Sequence, residues 1–110
     1  MTQHEVKRLN PFLRDVAVSL VPEMTDDQLV RIARALTEHY PHILVSRMTD
    51  FTALVRGIPV GADTAQEANR DTWAMIHREI REILATPADA GTELASIDVR
   101  LPARGMFDLT

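Results

Sequence analysis

Six prolines limit how long any regular element of this chain can be. They stand at positions 11, 22, 41, 59, 87 and 102. Proline lacks a backbone donor and clashes with the preceding turn of a helix, so a helix begins at a proline or ends before it. The chain therefore consists of several short segments, and each can be examined for its own apolar period.

Two of these segments carry strong helix signals. Thr25 and Gln28 have the spacing of a capping box, and Thr64 and Glu67 repeat it. Apolar residues follow each box at helical spacing: Leu29, Ile32, Ala33, Leu36 and Tyr40 in the first, and Trp73, Ile76, Ile80, Ile83 and Leu84 in the second. The pattern predicts one helix that ends before Pro41 and a longer helix over about 63–85.

Two further segments also fit a helical period. Asn10 as N-cap, with Pro11 at the first helical position, predicts a helix over about 11–21. A third helix is predicted over about 42–56, where Leu44, Met48, Phe51 and Val55 recur after four, three and four residues. The β-branched residues near Ile43 leave a brief strand as an alternative there. The stretch 57–61 is predicted to be a short apolar loop.

After Gly91 the apolar period changes from 3.6 to 2. Ala95, Ile97, Val99 and Leu101 alternate with polar residues, which predicts a strand with one apolar face. Residues 102–105 could turn the chain back into a hairpin with Met106–Leu109, although the sequence shows no mate for the strand. The predicted fold class is mainly α: a bundle of three to four amphipathic helices with a short C-terminal β-strand or hairpin. We expect a single domain over 1–110, with a helical core over about 10–86 and a β extension over about 92–110.

Composition excludes several classes of function. The chain of 110 residues has no cysteine, so disulfides and thiolate chemistry are impossible. Its net charge is −4 with dispersed basic residues, which makes nucleic acid an improbable partner. No apolar run reaches 18 residues and residues 1–10 are polar, so we expect a cytoplasmic protein without a membrane segment. No cofactor is expected.

Three histidines are the only candidates for chemistry. His39 and His42 are weak candidates for metal ligands, because Pro41 lies between them and no third ligand completes a set. His77 follows Trp73 by four residues, so it lies on or beside the apolar stripe of its helix. It could be a general base, but a partly buried structural histidine is the commoner case. A small enzyme centred on one of these sites is therefore the third hypothesis.

A DNA-binding regulator is the second hypothesis. The predicted helices over about 42–56 and 63–85 would form a helix-turn-helix, with Arg70, Arg78 and Arg81 facing the duplex. Four carboxylates share that outer surface and oppose phosphate: Glu67, Asp71, Glu79 and Glu82.

The leading hypothesis is a small protein-interaction module that acts as a regulator, inhibitor or assembly factor. An alternating strand without an evident mate could add to a partner's sheet. The residues expected to contact the partner are apolar and lie in the C-terminal extension: Ile97, Val99, Leu101, Met106 and Phe107. The same strand could instead pair with a second copy and give a homodimer.

Overall fold

The computed structural model describes residues 11–102, which form a four-stranded antiparallel sheet and two α-helices. The elements follow one another as β1 (Phe12–Val21), α1 (Asp26–His39), β2 (Leu44–Arg47), β3 (Thr52–Val60), α2 (Ala65–Ile83), a 3₁₀ turn (Pro87–Asp89) and β4 (Glu93–Arg100). Helix accounts for 39% and strand for 34% of the described residues, so the prediction of a mainly α bundle of three to four helices is wrong.

The strands lie in the order β2-β3-β1-β4, and every neighbouring pair is antiparallel. Each helix connects two strands that are not neighbours, which is the split β-α-β, or ferredoxin-like, topology. The core lies between the two helices and one face of the sheet, where Val16, Ile58 and Ile76 are fully buried. Helix α2 lies mainly over β4 and β1. Neither helix within 11–102 is long and apolar enough to cross a membrane.

The helix predicted over 11–21 is instead the central strand β1. Leu13, Val16, Ala17 and Leu20 fit a helical period, but Val16, Val18 and Leu20 also alternate and all three point into the core. Ala17, on the opposite face, is only 5% exposed. A strand buried on both faces gives a nearly continuous apolar run, and periodicity alone cannot separate such a run from a helix.

The helix predicted over 42–56 is a β-hairpin. β2 occupies 44–47, so the brief strand considered near Ile43 is the correct interpretation of that stretch. Met48 and Phe51 lie in or beside the connection and are about half exposed, so they are not core positions of a helix. The predicted loop over 57–61 is also wrong up to Val60, because β3 continues to that residue.

Both helices with a capping-box spacing are confirmed. Thr25 Oγ1 accepts the backbone N–H of Gln28 at 3.0 Å, and the Gln28 side chain accepts the N–H of Thr25 at 2.9 Å. Thr64 caps α2 by accepting the N–H of Glu67 at 3.1 Å. These bonds satisfy backbone donors that have no partner within the helix, and they fix where each helix begins.

A β-bulge interrupts the pairing of β1 with β3. Arg56 and Gly57 together lie opposite Asp15, and Gly57 has a φ of +82°, which glycine adopts without a steric penalty. The Asp15 carboxylate accepts the Gly57 N–H at 3.0 Å. Val55 and Ile58 are three residues apart, so in a regular strand they would point to opposite faces. The extra residue of the bulge brings both onto the core face.

A buried ion pair fixes the connection between α2 and β4. Asp89 is 3% exposed, and both of its oxygens receive N–H groups of the Arg31 guanidinium at 2.8 Å. Gln28 and Thr86 donate to the same carboxylate at 3.0 and 2.8 Å. The bonds from Arg31 are the main reason that the pKa of Asp89 falls far below its usual value. The network ties the chain before β4 to helix α1.

Candidate functional site

Strand β4 forms one edge of the sheet. The strand predicted after Gly91 is confirmed, but it does have a mate: it pairs with β1, with Val18 opposite Ile97 and Asp15 opposite Arg100. Within residues 11–102 no strand pairs with the other side of β4. In an antiparallel ladder alternate residues direct their N–H and C=O groups away from the mate. These groups are available to a further strand.

A second bulge divides this edge. Ser19 lies opposite Ser96 and Leu20 lies opposite Leu94, so Ala95 is one residue more than β1 can pair. A bulge disturbs the ladder and bends the strand, so it limits pairing at the edge to one side of itself. The regular part of the outer edge therefore runs from Ser96 to Arg100.

Helix α2 presents an aromatic and basic stripe towards this edge. Arg70, Trp73, His77 and Arg81 recur at steps of three and four residues. Trp73 is 45% exposed, and its ring stacks on the imidazole of His77 with centroids 4.8 Å apart and planes 13° apart. Trp73, which the sequence places in the apolar stripe of this helix, therefore lies outside its buried face, which runs through Ala68, Thr72, Ile76 and Ile80.

Two adjoining depressions lie between this stripe and β4, and together we call them the α2–β4 groove. One has a volume of about 210 Å³ and the other of about 430 Å³. Both are lined by Arg81 and Leu94, so they adjoin at these two residues. The remaining lining residues are Trp73, His77, Ala95, Ser96 and Ile97 in the smaller, and Leu84, Ala85, Thr92 and Glu93 in the larger.

Arg81 is the principal unpaired charge in the groove. It makes no ion pair or hydrogen bond with another described residue. By contrast, Arg70 lies 3.5 Å from the Asp71 carboxylate and Arg78 lies 4.0 Å from that of Glu79. Glu93 is the one carboxylate among the described lining residues. A planar guanidinium without a partner can bind an incoming carboxylate through two parallel hydrogen bonds.

The residues predicted to contact a partner occupy different environments. Ile97 and Val99 are half buried against the core, and Ile97 also lines the groove. Leu101 is 71% exposed just beyond the end of β4. Met106 and Phe107 lie outside the described residues. Trp73 was not among the residues predicted to contact a partner, although its spacing to His77 predicts that the two rings are neighbours.

The three histidines predicted as candidates lie at two different sites: His39 and His42 at one, and His77 at the other. His39 and His42 line the same pocket, but in the described part of the chain no group of three or more potential metal ligands occurs. His39 Nε2 lies 3.7 Å from a Glu79 oxygen, too far for a hydrogen bond. His77 stacks on Trp73 and makes no hydrogen bond to a described residue.

One of the two helices that the helix-turn-helix hypothesis requires is not a helix in the structure. Residues 44–47 and 52–60 are strands, so no helix precedes α2 in the way that this motif requires. The surface of α2 also mixes arginines with Glu67, Asp71 and Glu82.

No protein-family model, curated protein or solved structure matches the chain. The topology alone does not indicate an activity, because one fold supports many functions. The case for a function therefore depends on the groove itself.

Proposed function

We propose that this protein binds an extended, acidic segment of a partner protein by strand addition in the α2–β4 groove. The segment pairs its backbone with β4 from Ser96 to Arg100 and lies beside the stripe of α2. By binding such a segment of its partner, the protein would act as a regulator, inhibitor or assembly factor. The observation that carries the proposal is the exposed Trp73–His77 stack and the unpaired Arg81 beside an open strand edge.

Backbone pairing would supply affinity without selecting a sequence. In strand addition the main chains form the hydrogen bonds, and side chains at alternate positions enter pockets. The pocket between Trp73 and Ile97 suits an apolar side chain, because an exposed tryptophan is a frequent anchor of binding energy.

Charge favours an acidic occupant over a basic one. Arg81 lines both depressions, whereas Arg70, farther along the stripe, lies beside the Asp71 carboxylate. An aspartate or glutamate near the apolar anchor could pair with Arg81. A basic segment would meet Arg81 as a like charge, and among the described lining residues of the groove only Glu93 would attract it.

The experiment is selection of short peptides from a random display library, followed by titration with charge-reversed partners. The chain contains one tryptophan, so its fluorescence reports on the groove directly. We expect selected peptides to carry a carboxylate close to an apolar residue. Arg81→Glu should weaken their binding at least tenfold, because it removes a charged hydrogen bond and adds repulsion. Replacing the peptide's carboxylate by lysine should restore binding to that variant.

Arg34→Glu is the matched control. Arg34 is exposed on α1, and its side chain has no partner among the described residues. Equal binding to the Arg81→Glu and Arg34→Glu variants would contradict the proposal.

Two other occupants of the edge would also contradict the proposal. A dimer in light scattering that competes with peptide would assign the edge to a second copy of the chain. If peptide binds only to a chain that ends at Pro102, the edge of β4 would be assigned to residues 103–110 of the same chain.

A further inference from the structure

A second pocket lies where α1 meets the ends of β1 and β3. It has a volume of about 300 Å³, at the lower end of the range for small-molecule sites. It shares no lining residue with the α2–β4 groove. Its function is therefore a separate question from peptide binding.

The end of helix α1 places three ring side chains at this pocket. Tyr40 caps the helix by donating its N–H to the Leu36 carbonyl at 2.9 Å, and Pro41 prevents another turn. The Ile43 N–H then bonds to the Tyr40 carbonyl at 3.2 Å, which closes a tight turn. As a result His39, Tyr40 and His42 all line one depression although a proline separates the histidines.

The opposite wall is apolar and partly bare. Leu13 of β1 and its partner Pro59 of β3 contribute hydrocarbon surface, and Gly57, two residues before Pro59, has no side chain. A Cβ atom on Gly57 would meet no atom within 4 Å, so open space adjoins the bulge. The site therefore offers apolar walls with polar groups only at the rings.

The two histidines differ in whether their rings already have polar neighbours. His39 lies 3.7 Å from the carboxylate of Glu79, which also lies 4.0 Å from Arg78. His42 is exposed and makes no hydrogen bond or ion pair with a described residue. Its imidazole N–H can therefore donate to a ligand. The rings of His39 and Tyr40 lie 6.3 Å apart and are tilted by 57°, a geometry in which aromatic rings contact one another favourably.

We propose that this pocket binds a small planar aromatic carboxylate. Its ring lies against Leu13, Pro59 and Tyr40, and its carboxylate accepts the N–H of His42. The apolar walls account for the ring, and the unpaired imidazole at the rim accounts for the acid group.

Three probes separate the two contributions: benzoate, benzyl alcohol and acetate. Each is titrated into the full chain, and binding is followed by amide chemical shifts. Benzoate should bind at least fivefold more tightly than either other probe, because only benzoate combines ring and charge. The shifts should be confined to residues near Leu13, 39–43 and 57–60. Equal binding of benzoate and benzyl alcohol would contradict the role of His42, and shifts elsewhere would contradict the site.

His42→Leu tests the donor, because the leucine side chain has no N–H group, and His77→Leu is its control. Both substitutions remove an imidazole from a surface of the protein, but His77 lies in the α2–β4 groove. We expect His42→Leu to weaken benzoate binding about tenfold, as for the loss of one hydrogen bond to a charged group, while His77→Leu leaves it unchanged. If both variants bind benzoate like the original chain, the proposal is wrong.

Discussion

Asp89→Asn should lower the free energy of unfolding by about 3 kcal/mol, because it leaves Arg31 without its buried partner. Asp89 is the buried carboxylate of that guanidinium, whereas Asp27 is exposed and the Ile83 carbonyl accepts only one longer bond, at 3.3 Å. The amide has only one acceptor oxygen, so it cannot form the two parallel bonds that Arg31 makes with Asp89, and its NH2 group would face other donors. Chemical denaturation followed by circular dichroism at neutral pH measures the difference.

The same carboxylate gives stability a defined dependence on pH. Hydrogen bonds from Arg31, and then from Gln28 and Thr86, hold the pKa of Asp89 far below its unfolded value of about 3.9. A group with a depressed pKa stabilises the fold above its unfolded pKa, and this contribution is lost as the pH falls towards the folded pKa. The stability difference between the original chain and Asp89→Asn should therefore be full at pH 7 and shrink below about pH 4.

Asp98→Asn is the control for this prediction. Asp98 also pairs with an arginine, Arg100, at 2.7 Å, but both side chains are about half exposed. Exposed pairs contribute about 0–1 kcal/mol, so this substitution should change stability little. Equal effects of the two substitutions would show that burial of Asp89 does not matter to the fold.

Trp73→Ala should weaken the binding of the selected acidic peptides by about 2 kcal/mol, which raises their Kd about thirtyfold. The ring is the largest exposed apolar surface in the α2–β4 groove and is held in one orientation by stacking on His77. Because it is 45% exposed in the free protein, its removal should cost little stability. Calorimetric titration measures the effect, since the variant has no tryptophan fluorescence.

Phe51→Ala is the matched control, because Phe51 is an aromatic residue of similar exposure, 44%, beside the β2–β3 connection. Its removal should leave peptide affinity unchanged. A loss of affinity in both variants would point to a general effect on the fold, and a loss in neither would exclude the groove as the binding site.

The helices could be predicted from the sequence because their signals are local. Thr25 with Gln28 and Thr64 with Glu67 satisfy backbone donors of their own helix, so no distant residue is needed. The alternation through Ile97 and Val99 is equally local and correctly predicted β4. Each of these elements has one buried face, which makes its period visible.

The sheet could not be predicted because its signals depend on distant pairing. β1 is buried on both faces, so Val16, Ala17 and Leu20 fit a helix as well as a strand. The spacing of Leu44, Met48, Phe51 and Val55 is helical by coincidence, because Met48 and Phe51 belong to the connection rather than to a core face. The β-branched residues from Ile43 to Val45 were the better signal.

The candidate site follows from topology rather than from a motif. Sequence spacing brings Trp73 close to His77 on one helix, but it does not show that both rings face a strand edge. The mate of β4, and therefore its open side, depends on residues about 80 positions away in β1. The pocket at His39 and His42 likewise depends on Leu13 and Pro59 from two other elements.

Hydrogen exchange of the β4 amides, with and without a selected acidic peptide, tests the central claim most directly. Strand addition should slow exchange at alternate amides between Ser96 and Arg100, those that point away from β1, and leave α1 unaffected. Tight binding of the peptide with no new protection along β4 would contradict strand addition in the groove.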